Sequence, residues 1–104
     1  MRGQVVPFRR PLTVPEATEI VRSAVGTDRL GWTDHALEQM DARSVSNRIV
    51  MTTLAHGSAK SEPAWNADHN DWVCVFQLTA SGRNLRVMVG IDADRRGVSV
   101  ITSY

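Results

Sequence analysis

The chain has 104 residues, a formal net charge of +1, 42% hydrophobic and 22% charged residues. This is the size and makeup of one globular domain. It excludes a mostly disordered chain, and the charge is too balanced to argue for nucleic acid by itself. The single cysteine, Cys74, excludes an intrachain disulfide and multi-cysteine metal clusters, and every apolar run falls far short of the roughly 20 residues of a membrane helix. No apolar segment follows the N-terminal arginines, so no secretory signal and no membrane partner are expected, and a reducing cytoplasm is the expected location.

Residues 1–12 carry Arg2, Arg9 and Arg10 without an acid, and Gly3, Pro7 and Pro11 interrupt any regular element. They are expected to form a basic irregular arm before a single α+β domain over 13–104. Thr13 and Glu16 have capping-box spacing, Pro15 suits a first turn, and Ala17, Ile20, Val21 and Ala24 make one buried helical face that Gly26 ends. A second helix is expected after Thr33, with Asp34 in its first turn and Ala36, Leu37 and Met40 on its apolar side. Ser46 starts a third, with Val45 and Val50 spaced as a hydrophobic staple, Ile49, Val50, Thr53 and Leu54 facing the core, and Gly57 ending it.

From Ser58 the period becomes two. A strand is predicted over Ala59–Trp65, with Pro63 confining it to an edge, then another over Trp72–Thr79. Ala80–Asn84, containing Ser81-Gly82, is expected to be a hairpin turn, Leu85, Val87, Val89 and Ile91 alternate with polar or small residues, and Val98–Thr102 closes the sheet. The expectation is two or three helices packed on one face of an antiparallel sheet of three or four strands.

Candidate chemistry is sparse. His35, His56, His69 and Cys74 lack the paired spacing of a zinc site, so no metal and no cofactor is called for. Cys74 lies in an apolar strand and reads as an inert buried thiol. There is no serine-nucleophile elbow and no glycine-rich phosphate loop. The most specific local feature is His35, Gln39 and Arg43, spaced four apart on one helix face. His35 falls in a first turn, where the helix dipole favours neutral imidazole, a competent general base. Arg43, two turns on, suits bidentate phosphate binding, and Gln39 lies between them. The alternative is a solvated helix face with a local polar network. Lys60 and Arg86 are cations on predicted strands, with Arg86 on the face opposite Leu85 and Val87. Such a sheet face is a common resting place for RNA. The alternative there is a solubilising edge charge.

The run Trp32-Thr33-Asp34-His35-Ala36-Leu37-Glu38-Gln39-Met40-Asp41-Ala42-Arg43 resembles the His-Ala-x-x-x-Met-x-x-Arg signature of a bacterial domain-of-unknown-function family. Asp92-Ala93-Asp94 and Thr102-Ser103-Tyr104 look like that family's Asp-rich hairpin and its closing Thr-x-Tyr strand, so the likeness spans 30–104; Ser44 stands where the family often has Gly. The layout is also distantly similar to the MqsR branch of the RelE-like toxins. Lys60-Ser61 and Trp72-Val73-Cys74-Val75-Phe76 match that branch's order of a Lys-Ser step before a Trp-x-x-Val-aromatic strand. Val73 and Leu85 replace its site glutamine and catalytic tyrosine, so of that site only Lys60 carries over.

The resemblance implies a toxin-like domain of RelE-like fold. Its implied activity is a metal-independent endoribonuclease, an mRNA interferase of a bacterial toxin–antitoxin system, with RNA and a cognate antitoxin protein as partners. Under it, His35, Lys60, Arg86 and Tyr104 are the expected catalytic residues, and Arg43 and Gln39 bind substrate, all converging on one pocket beside the sheet. The rival expectation is a non-catalytic RNA- or protein-binding accessory domain of the same fold.

Overall fold

The computed structural model describes residues 10–80 and 82–103. Local signals place the three helices where they are expected. In α1 (Val14–Gly26) the Thr13 hydroxyl accepts the Glu16 backbone N–H at 3.3 Å, and the Glu16 carboxylate accepts the Thr13 N–H at 3.1 Å, completing the capping box. A three-residue strand, β1 (Leu30–Trp32), precedes α2 (Asp34–Ala42), which Thr33 caps. Ser46 caps α3 (Asn47–His56), and the staple residues Val45 and Val50 are both buried.

The strands are β2 (Ser58–Ala59), β3 (Ala64–Asn66), β4 (Asp71–Ala80), β5 (Arg83–Asp92) and β6 (Val98–Ser103). They form a six-stranded sheet in the order β1-β6-β5-β4-β2, with β3 also on β4. Three expectations are corrected. The sheet has six strands rather than three or four, because β1, β2 and β3 are each only two or three residues long and leave no period to read. The sheet is mixed, because β1 runs parallel to β6 and puts Trp32 beside Val100. Leu30–Trp32 is too short to show a period, which hid it between two helix signals. The single strand expected over 59–65 is instead two pieces on the same edge of β4. Pro63 lies in the gap, where its missing N–H breaks no ladder bond.

All three helices cover one face. Trp72, Cys74, Phe76, Val87, Val89, Ile91, Val98 and Val100 point into it and meet Ala17, Val21, Ala36, Met40, Val50 and Leu54 in one core. Leu37 and Ile49, expected inside, are 45% and 38% exposed. Each sits about 100° around its helix from the inward positions Ala36 and Val50, enough to turn it outward. Cys74 is inert as expected: burial pushes its thiol up to about 11. No described helix is long and apolar enough to cross a membrane.

Of the basic arm expected over 1–12, only residues 10–12 are described; with Thr13 they form no regular element and are anchored to the domain. Leu12 is buried, and Arg95 donates one N–H to the Arg10 carbonyl at 2.7 Å and another to Glu16 at 3.3 Å. Three bonds depress the Glu16 carboxyl to about 2: first the Thr13 N–H, then the Arg10 side chain, then the Thr13 hydroxyl.

Candidate functional site

Alternation along β4 and β5 sorts their side chains. Phe76 and Val87 face the helices and are fully buried, so their neighbours Gln77 and Arg86 lie on the outer face. The β4–β5 hairpin turns after Ala80 and resumes at Arg83, so counting back from the turn sets Gln77 directly opposite Arg86. On its other side Gln77 pairs with Ser58 of β2. A polar row, Ser58–Gln77–Arg86, therefore crosses three adjacent strands on one face.

Two residues beside this row sit on a cleft of about 240 Å³: His56 from the last turn of α3 and Lys60 just past β2, with Gln77 and Thr79 also lining it. Lys60 is fixed at its backbone, its N–H donating to the Val75 carbonyl at 2.8 Å, while its side chain is exposed. Gly57 lets α3 end this close to β4. A Cβ at this position would lie 2.5 Å from the Gln77 carbonyl oxygen and 2.5 Å from that of Thr53. Arg22 of α1 bridges to the Gly57 carbonyl at 3.3 Å and ties the junction to the helical layer. The Gln77 amide oxygen is buried and has no hydrogen-bond partner among the described residues.

Of the six residues expected to form one pocket, the five that are described do not gather. His35 is exposed in the first turn of α2, and Arg43 is exposed at its C-cap. Arg43 Nε donates to the half-buried Gln39 Oε1 at 3.3 Å, the local network weighed as the alternative reading of this stripe. The Thr33 hydroxyl clips the start of α2 to β6 by donating to the Ile101 carbonyl at 3.1 Å. Strand β6 lies three places from β2, roughly 14 Å at the usual strand spacing. Arg86 also lies on the sheet face opposite the helices. Lys60 and Arg86 thus share a neighbourhood through Gln77, and His35, Gln39 and Arg43 occupy another. Tyr104, Arg2 and Arg9 lie outside the described residues.

Two functional candidates escaped the sequence reading. Gln77 was not legible: a turn over Ala80–Asn84 pairs it with Val87, and only strands that run to Ala80 and resume at Arg83 set it opposite Arg86. Nor was His56, because its approach to Lys60 depends on how α3 ends against β4.

At the far end of the same outer face Asp71 pairs with Asp92. Burial raises the Asp71 carboxyl, Asp92 adds to the rise, and His69 opposes it. Among the described residues no group of three or more His, Cys, Asp or Glu side chains is placed to hold a metal ion.

Residues 32–104 match the family described as Domain of unknown function (DUF4258). The chain belongs to this family. No curated protein matches the chain, and no solved structure matches it. The DUF4258 region begins at the last residue of β1 and takes in α2, α3 and strands β2 to β6, and so includes every residue of the His56–Lys60–Gln77–Arg86 group.

Proposed function

We propose that this DUF4258 domain is a toxin-like, metal-independent endoribonuclease of RelE-like type. The reading places its site at the Lys60 cleft rather than on the α2 stripe. The observation that carries it is one cleft lined by an imidazole, an ammonium and an amide with an unmatched acceptor oxygen, beside an outer-face arginine. That donor and acceptor set suits transesterification of RNA. His56 takes the proton of a 2′-hydroxyl, whose oxygen bonds to the adjacent phosphorus. The bond from phosphorus to the 5′-oxygen breaks, and Lys60 protonates the departing oxygen. Arg86 neutralises the crowded phosphate. The acid–base role goes to His56, which lines the cleft, in place of His35, which does not.

The test is incubation of the purified chain with single-stranded RNA in excess chelator. Cleavage leaving 2′,3′-cyclic phosphate ends, lost in His56→Ala and Lys60→Ala, supports the reading. One feature favours the second reading, a non-catalytic RNA-binding accessory domain: the cleft lining contains one histidine and no carboxylate or tyrosine to share the proton transfers with it. RNA retained on the protein but uncut at every dose sinks the nuclease and leaves that reading standing.

A further inference from the structure

A larger groove, of about 550 Å³, lies between α1 and the β5–β6 turn, lined by four arginines: Arg10, Arg29, Arg95 and Arg96. It is separate from the Lys60 cleft. From Arg86 to the end of β5 at Asp92 is already roughly 20 Å of extended strand, and Arg95 lies beyond that.

The four guanidinium groups are not equivalent. Arg10 and Arg95 are both engaged by the Glu16 carboxylate, at 2.9 and 3.3 Å. Arg95 is held further by the Arg10 carbonyl and is only 23% exposed. Arg29 and Arg96 form no ion pair among the described residues, although both line the groove. The turn that carries Arg95 and Arg96 is rigid. Arg95 N–H donates to the Asp92 carbonyl at 2.7 Å, Arg96 N–H to the Asp94 carboxylate at 3.0 Å, and Arg95 adopts a left-handed φ of 65°. The Arg95 guanidinium and the backbone of Arg96 are therefore held before any ligand arrives, which lowers part of the ordering cost of binding one.

The rest of the lining narrows the class of ligand. Ile20 and Ala24 of α1 supply an apolar floor, and Glu19 adds a second carboxylate to Glu16. No aromatic side chain is present to stack a base, and two fixed carboxylates repel a continuous run of phosphates. A peptide with spaced acidic residues and an apolar side chain between them meets neither objection. Its carboxylates reach Arg29 and Arg96, and its apolar group covers Ile20. The chain's own residues 1–9 lack the charge for this role, since they contain Arg2 and Arg9 and no acid. We infer that this groove is the docking site for an acidic, partly apolar segment of a partner protein. The inference is independent of the cleavage reading.

The experiment uses the full chain and a fluorescent synthetic peptide of alternating glutamate and leucine, with a glycine–serine peptide and a short oligouridylate as comparators. The glutamate–leucine peptide should bind with an affinity that falls as salt rises. Charge reversal at Arg29→Glu with Arg96→Glu should weaken it roughly tenfold or more, and Arg48→Glu on α3 should not. Amide shifts of the unaltered chain on adding the peptide should centre on Ile20, Ser23, Thr27, Arg29 and Arg96, a readout that does not depend on any variant folding. The inference is overturned if the peptide fails to bind, if reversal leaves its affinity intact, if the shifts fall elsewhere, or if oligouridylate takes the groove more tightly than the peptide does.

Discussion

The α2 stripe and the Lys60 cleft hold similar residue types and differ in what their geometry leaves unsatisfied. On α2, His35, Gln39 and Arg43 follow one another at helical spacing, and Arg43 and Gln39 hydrogen-bond to each other. At the cleft, His56 and Lys60 flank the short β2 and Gln77 joins them from β4, and the Gln77 oxygen is left with no described partner. Side chains four apart on a helix meet wherever a helix forms, so their meeting says little about a ligand. Groups brought together across a sheet, with one of them unmatched, say more, because nothing in local structure requires it.

The sharpest way to break this comparison is by activity. His56→Ala, Lys60→Ala and Arg86→Ala should each lower RNA cleavage by roughly a hundredfold or more, the usual scale for losing a proton-transfer or charge-stabilising group. His35→Ala and Arg43→Ala should leave the rate unchanged. Single-turnover rates on one RNA substrate decide it, and the opposite pattern would return the site to α2.

Gly57→Ala tests the junction that forms the cleft. Its Cβ meets two backbone carbonyl oxygens at 2.5 Å, neither of which moves as a flexible side chain would, so α3 must shift away from β4. Urea unfolding should show a loss of about 1–3 kcal/mol, the usual cost of overpacking, together with impaired cleavage. Unchanged stability would mean that the helix end and the strand are not in close approach.

Two carboxyls away from the cleft should respond to acid with opposite signs. Glu16 is held at about 2 in the fold against an ordinary 4.5, so its stabilisation is complete above 4.5 and disappears as pH falls through about 2. Asp71 is raised above its ordinary 3.8, so its ionised form weighs against the fold, and that penalty is relieved as pH drops through the raised value. Thermal melts across acid pH should therefore show Glu16→Gln losing part of the acid-side decline, and Asp71→Asn gaining stability at neutral pH. A destabilised Asp71→Asn would show that the carboxylate has a favourable partner. The smallest effect belongs to the helix stripe. A double-mutant cycle on Gln39 and Arg43 should give a coupling of about 0.2–0.5 kcal/mol, and a much larger value would mean that the pair is part of a buried network.

What the sequence settled by itself is whatever is encoded within a few residues. The caps at Thr13, Thr33 and Ser46, the stop at Gly57 and the period-two strands over 72–79, 85–91 and 98–102 each rest on contacts between near neighbours, and each is present. The pairing of Gln77 with Arg86 does not belong with them, since it depends on where the hairpin turn closes. Tertiary structure alone decided the parallel seat of β1 on β6, the outward rotation of Leu37 and Ile49, the approach of His56 and Lys60 to Gln77, and the meeting of Arg29 with Arg95 and Arg96. Each of these joins segments far apart in the chain. Their closure entropy is offset only by burying the whole core at once, and no window of periodicity carries that information.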